Sequence, residues 1–404
     1  MSKTIYDISS EIGSGITPLR SNSAYWDSRE VPWIKTEQLG QYQIFDANEY
    51  ISKTALEETS IKLWPPNTVS VAMYGEGKTR GNASILMMHS TTNQACCNIV
   101  ANPYKADYRF LYYWLKNNYE QLRTLAAGVR KNLNSDDIKS FPFPDVNVTE
   151  QTKIADVLSS IDNAIQNNNL ICNELESMSK TLYDYWFTQF DFPNEEGKPY
   201  RSSGGEMVWN DQLKRKIPKE WEAGQLSDIA NITMGQSPAG ETYNEDGNGT
   251  IFYQGCTDFG TRFPVPRVYT TAPTRFAQAG DILMSVRAPV GTLNVAIEDC
   301  SIGRGLAALN SKIGSQLYLW YTLAGFKQLF SVLDGNGTTF GSITKDALYE
   351  MKVVIPNPAQ VRAFDKIVQP IEQKIRVIEE ENRELTKLRD WLLPMLMNGQ
   401  ATVE

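Results

Sequence analysis

The sequence predicts an α+β, mixed α/β fold arranged as a block, a long helix, a second block and a second long helix. Three observations lead there. First, Thr149–Trp186 carries Ile154, Leu158, Ile161, Ile165, Cys172, Leu175 and Leu182 in steps of three and four, the ladder of one long helix. Second, Ile371, Ile375, Ile378, Leu385 and Leu392 repeat that ladder near the C-terminus, 210 residues on (Ile161 to Ile371), and Glu174-Leu175 is echoed by Glu384-Leu385. Third, the stretch before each ladder mixes short β-type runs with an aromatic-rich helix, the mark of a mixed domain.

The repeat extends beyond the helices. Leu111-Tyr-Tyr-Trp-Leu115 answers Leu317-Tyr-Leu-Trp-Tyr321, Thr17-Pro18 answers Ser237-Pro238, and Leu39-Gly40 answers Phe259-Gly260. Common order at a nearly constant offset is the signature of an internal duplication. Taken along the chain, residues 1–148 form the first block and 149–190 the first long helix. Residues 191–208 read as a linker, rich in Gly, Ser and charge, 209–358 as the second block, and 359–404 as the second helix with its tail.

In the first block, Pro32–Thr36, Thr68–Tyr74 and Ala83–Met88 read as strands and Phe110–Leu125 as a helix. Pro142 and Pro144 end regular structure before the long helix. In the second block, Ile251–Gln254, Asp281–Val286 and Leu293–Ile297 read as strands and Leu317–Phe330 as a helix. Lys214-Arg215-Lys216 reads as a solvated turn. Pro370 is expected to interrupt the first turns of the second long helix.

Composition narrows the function classes. The 404 residues carry a net charge of −8, five cysteines without a CxxC pair, and one histidine, His89. That rules out a histidine-rich metal site and suits a reducing, cytoplasmic setting; no metal is expected. No apolar run is long enough for a signal peptide or a membrane span. The acidity is local: residues 150–196 hold 2 basic and 9 acidic side chains, whereas 1–149 and 197–359 each balance at 15 and 15. The two blocks are therefore free to hold basic patches.

No catalytic apparatus emerges. Gly75-Glu-Gly-Lys-Thr79 lacks the first glycine of a phosphate loop, since Ala72 stands there, and a β-type run rather than a helix follows. Pro65-Pro66 leads to Asn67 rather than to the aromatic of a base-flipping methyltransferase loop. With His89 alone, no Ser/His/Asp set exists. What remains is a set of loops mixing basic, amide, hydroxyl and aromatic side chains. In the first block these are Lys35, Thr36, Tyr74, Lys78, Arg80, Arg130, Lys131 and Asn132. In the second they are Gln254, Thr257, Arg287, Arg304, Asn336, Thr338 and Phe340. Such residues pair with phosphates and base edges. Singly they read as solvated loop residues; repeated in two copies, they favour DNA contact.

Motifs over nearly the whole chain then resemble the specificity (S) subunits of type I restriction–modification systems. They are Glu150-Gln151 through Leu158 with Ile161-Asp162, Leu182-Tyr-Asp-Tyr-Trp-Phe187, Ile217-Pro-Lys-Glu-Trp221, Gly280–Ser285 with Arg287-Ala-Pro-Val-Gly291, and Leu392–Gly399. Val31-Pro-Trp-Ile-Lys35 and Met73-Tyr-Gly75 fit in the first block. Ala363-Phe-Asp365 departs from the family pattern. The resemblance implies two similar target-recognition domains joined by two long antiparallel, coiled-coil-like helices in a pseudo-twofold internal repeat. Each domain would read half of a split, asymmetric double-stranded DNA target, and the chain itself would be non-catalytic. Two modification subunits would bind S-adenosylmethionine and methylate adenine; restriction subunits would use ATP and Mg.

The helices would act as a spacer. About 32 residues at 1.5 Å each span roughly 48 Å, on the order of 14 base pairs. Asn168 and Asn382 fall in the seam, where a buried amide can fix register, although an exposed asparagine fits these positions equally. Two alternatives are a fused nuclease–recognition enzyme and a helical protein–protein scaffold.

Overall fold

The computed structural model describes residues 3–75, 79–126, 132–335 and 341–403. The chain divides into two compact units, Met1–Asn167 with Asn382–Glu404, and Asn168–Glu381. Each unit contains one mixed block and a portion of both long helices.

In the first unit, β1 (Ser9–Ser14), β2 (Val31–Ile34), β3 (Thr68–Ala72), β4 (Ala83–Leu86), β5 (Thr91–Thr92) and β6 (Cys96–Ala101) build two sheets. One runs β1-β6-β3-β4 with Gln43–Ile44 at its edge; the other places β2 between Glu49–Ile51 and β5. Every residue of β3 and β4 is buried, which explains why they are continuous apolar or small-residue runs rather than alternating ones. Helix α1 (Tyr108–Asn117) packs Phe110, Leu111, Tyr113 and Leu115 into this core. The single aromatic helix expected over 110–125 is broken: a second helix, Tyr119–Thr124, begins after Asn118. Both the amide and the side chain of Asn118 donate to the Trp114 carbonyl, and this closes the first helix.

The second unit repeats the plan with β7 (Ala230–Met234), β8 (Thr250–Tyr253), β9 (Ile282–Ser285), β10 (Leu293–Val295), β11 (Cys300–Ile302) and β12 (Leu306–Ser311). Its sheet order β7-β12-β9-β10 copies β1-β6-β3-β4. The copy holds at the level of paired residues. Ile12 faces Ile99 and Ile232 faces Leu309; Val71 faces Ala83 and Met284 faces Leu293. The parallel pairs agree too, with Ile34 beside Thr92 and Tyr253 beside Ile302. A register slip would turn a buried face outward, so matched registers mean the same core positions are reused.

The crossing between the two sheets depends on a glycine in each unit. The Gly15 amide donates to the Cys96 carbonyl and the Ile16 amide to Thr92; Gly235 and Gln236 repeat this to Leu306 and Ile302. A Cβ on Gly15 would lie 2.0 Å from the Thr92 oxygen, and one on Gly235 would lie 2.1 Å from the Gly303 oxygen. Backbone cannot swing aside as a side chain can. Gly235→Ala is therefore expected to cost about 1–3 kcal/mol, read as a lower urea midpoint at unchanged slope. An unchanged midpoint would show that the crossing is not tight.

The first long helix, α2, runs Val148–Tyr183 and passes into one π-helical turn over Asp184–Thr188. After a third helix, α3 (Gln316–Gly335), the second long helix, α4, runs Pro358–Met397. It continues through Pro370, contrary to the expected interruption. Pro370 is on the exposed face, while Phe364, Val368, Ile375 and Ile378 are buried, so the apolar seam does not pass through the proline. Within the first unit, Ile154, Ala155 and Leu158 share a core with Leu393, Leu396 and Met397. Within the second, Cys172 and Leu175 pack with Ile371, Ile375 and Ile378, and Tyr183 packs on Phe364. In each unit the partner numbers fall as α2 advances, so the helices pair antiparallel.

The 191–208 stretch that composition marks as a linker is folded against the second unit. Phe192 stacks between Tyr200 and Trp221, with ring centroids 4.7 and 4.8 Å away. The Asp191 carboxylate accepts the Ser202 amide at 2.7 Å. Met207–Asn210 and Arg215–Pro218 form a hairpin, with Lys214 at its turn and the Arg215 guanidinium 4.9 Å from the Phe190 ring centre. Polar composition signalled a loop here; the spaced aromatics decided that it packs.

Candidate nucleic-acid interface

Most of the described candidate residues sit just past the ends of strands in the two mixed blocks. In the second unit, Gln254, Thr257, Arg287 and Arg304 come from three separate loops and line one pocket of about 240 Å³ with Ser237, Cys256 and Ser285. All four are exposed. Gln254 ends β8, Thr257 lies in the 3-10 turn Cys256–Asp258, Arg287 follows β9, and Arg304 caps the turn from β11 to β12. The arrangement presents two cations and a neutral amide, a set suited to acceptor-rich edges. Asn336, Thr338 and Phe340 lie outside the described residues.

In the first unit, Lys35 follows β2 and Thr36 opens a 3-10 turn. The Lys35 ammonium is held at 2.8 Å from Glu37 and 2.5 Å from Glu49, and these carboxylates, Glu37 foremost, raise its pKa. Two of its three N–H donors are thus engaged, so a phosphate would compete with these carboxylates for Lys35. Tyr74 is 40% exposed and lies two residues past the end of β3. The Leu133 amide donates to the Met73 carbonyl at 3.0 Å and so brings exposed Asn132 beside Tyr74. Arg80 is half-buried. Lys78, Arg130 and Lys131 lie outside the described residues.

Among the helix positions, Ile154, Leu158, Ile161, Ile375 and Ile378 are buried. Ile165, Leu175, Leu182, Ile371, Leu385 and Leu392 are half-buried. Of the seam asparagines, Asn382 is buried and Asn168 half-buried.

Two polar clamps escaped the sequence reading. In the first unit, buried Asp162 of α2 accepts from Arg389 of α4 and from the Tyr113 hydroxyl, each at 2.7 Å. Burial, then the Asp162 charge, pushes the Tyr113 hydroxyl far above its usual pKa. In the second, Arg262 bridges Glu176 of α2 at 3.3 Å and Glu372 of α4 at 2.5 Å, and its guanidinium lies 3.5 Å from the Trp320 ring centre. Arg262 sits four residues past Asp258, so it ties the Thr257 loop to both helices. Its partners are 86 and 110 residues distant, beyond any local sequence signal. Among the described residues no His, Cys, Asp and Glu group is arranged to hold a metal ion, and no helix is long and apolar enough to cross a membrane.

The family model for the type I restriction modification DNA specificity domain matches residues 2–177 and again 218–387. The chain belongs to this family. The chain thus carries two copies of the specificity domain, each match running into a long helix, and its function is DNA sequence recognition in type I restriction–modification, a non-catalytic role that leaves the chemistry to other subunits. The putative type I restriction enzyme MjaX specificity subunit of Methanocaldococcus jannaschii is 29% identical over 378 residues, covering 92% of this chain and 82% of that one. The MjaIX specificity subunit of the same organism is 27% identical over 425 residues, covering 100% and 93%. A crystal structure of a type I restriction–modification S subunit from M. genitalium shares the fold at a TM-score of 0.55 and 19% identity, covering 98% of this chain and 95% of that one.

Proposed function

We propose that each specificity domain reads one half of a split, asymmetric double-stranded DNA target in the major groove, with the long helices setting the unread gap between halves. The observation that carries this reading is the doubled scaffold. Two domains keep the same pairing register at the same parallel strand pair, yet mount different side chains on the loops that leave it. One target read twice would call for the same side chains twice. The 36 residues of α2 correspond to roughly 54 Å at 1.5 Å per residue, which suits a gap of several base pairs flanked by two half-sites.

Two modification subunits holding S-adenosylmethionine would methylate adenine in each half, and restriction subunits would supply ATP- and Mg-dependent cleavage. The helices leave surface for such partners. In the first unit α4 exposes Leu388 and Trp391, and in the second α2 exposes Leu170, Ile171 and Met178. Exposed apolar side chains suit protein docking better than contact with phosphates.

The test is a block exchange. Residues 1–148 are replaced by the matching block of a relative with a different target, and methylated adenines are mapped across the host genome. One half of the motif is expected to change while the other half and the gap stay. A change in both halves would overturn the one-domain, one-half assignment.

A further inference from the structure

The two specificity domains share a scaffold but differ at the positions that face out of it. Hydrogen bonds fix which residues correspond. The Asn93 amide donates to Ile34 at 2.9 Å, and the Gly303 amide to Tyr253 at 2.8 Å. One residue further along each strand, Lys35 corresponds to Gln254 and Gln94 to Arg304. The Leu133 amide donates to Met73 at 3.0 Å, and the Ile343 amide to Val286 at 2.9 Å, so Tyr74 corresponds to Arg287. Lys35, Tyr74 and Gln94 in one domain thus stand where Gln254, Arg287 and Arg304 stand in the other.

In the second domain these three meet in one pocket. The Arg304 turn is drawn in by its flanking glycines: the Gly305 amide donates to the Gln254 carbonyl at 3.2 Å, and a Cβ on Gly303 would lie 2.8 Å from the Gln254 Cα. Among the described residues neither Arg287 nor Arg304 makes a salt bridge. In the first domain, Lys35 is held by two carboxylates, and the Gln94 side-chain oxygen Oε1 accepts from the Thr17 hydroxyl.

The duplication identifies what these positions touch. The phosphate backbone is the same polyanion under both domains, so residues bound to phosphate have no reason to differ between copies. Residues that touch base edges must differ when the halves differ. Guanine alone presents two acceptors, O6 and N7, on its major-groove edge, and a guanidinium fork matches them. We propose that the pocket of Arg287 and Arg304 reads a guanine in the second half-site, and that Tyr74 and Gln94 are the corresponding specificity positions for the first. This rests on the bipartite reading above.

The test uses the chain assembled with its modification subunits and a target mapped from methylated adenines. Affinity is measured on that duplex and on copies carrying 7-deazaguanine, which lacks N7, at each guanine of the second half. One such replacement is expected to weaken the wild type by about tenfold, a penalty that shrinks to about twofold or less in Arg287→Tyr or Arg304→Gln. Both arginines are exposed, so the variants keep the wild-type melting temperature. Should either fail to, Arg→Lys at that position, which keeps the charge and loses the fork, is measured in its place. A second half without guanine, or a penalty unchanged in both variants, overturns the proposal. So does a uniform loss on all sequences with a flatter salt dependence, the mark of phosphate contact. A single unbroken target would overturn the bipartite reading itself; the other results leave that reading standing.

Discussion

Arg262→Ala is expected to destabilise the second specificity domain by about 3–5 kcal/mol, the cost of breaking a buried ion pair by removing one partner. The side chain is 4% exposed and Glu372 17%, so the carboxylate left behind stays in a poorly solvated place. One Glu372 oxygen, Oε2, is already buried with no hydrogen-bond partner among the described residues. Glu176 is 39% exposed, and water screens its share. Trp320 loses a stacked guanidinium as well. Urea unfolding of the full chain reads the effect, and a loss below about 1 kcal/mol would mean the clamp is a surface-type pair. Glu372→Gln in the Arg262→Ala background should restore part of the loss, because it removes the stranded charge. No recovery would point to lost packing rather than to electrostatics.

Adding seven residues to both long helices, after Asn167 and after Glu381, is expected to lengthen the unread gap by about three base pairs, since seven residues add roughly 10 Å. Seven is chosen because it preserves the apolar seam; another length would rotate one half of each helix against its partner. The original target should then lose methylation almost completely. Only one half can be engaged at a time, and each lost base pair costs about 1–3 kcal/mol. Mapping methylated adenines gives both readings at once. An unchanged gap would sink the spacer role. Lengthening α2 alone should instead disrupt the seam, because Leu175 would no longer meet Ile371 and Ile375.

The long helices and their repetition were legible in the sequence because they rest on local periodicity, and the family because its motifs are contiguous runs of residues. Apolar residues at three- and four-residue spacing commit a segment to a helix whatever it packs against. Strands β3, β4, β8, β9 and β10 were legible as short contiguous runs of apolar and small residues, which is also a local signal. The residues that bring the two sheets together were not. Strand β5 is two residues long, too short to carry a period, and β6 buries Asn98 in mid-strand, which masks its apolar character. Polar content read as a linker at 191–208 because composition does not register that Phe190 and Phe192 have Trp221 to pack on.

The candidate site divides along the same line. The sequence supplied the residue types, Gln254, Thr257, Arg287 and Arg304, and their duplication supplied the suspicion of DNA. Only the tertiary structure decided that these four share a pocket, that Lys35 is held by Glu37 and Glu49, and that Gln94 stands where Arg304 does. It also decided that Arg262 and Arg389 lock domain and helices through contacts 86 to 227 residues apart. The reason is physical: helical periodicity is a property of neighbours in the chain, whereas a pocket and a buried ion pair are properties of neighbours in space.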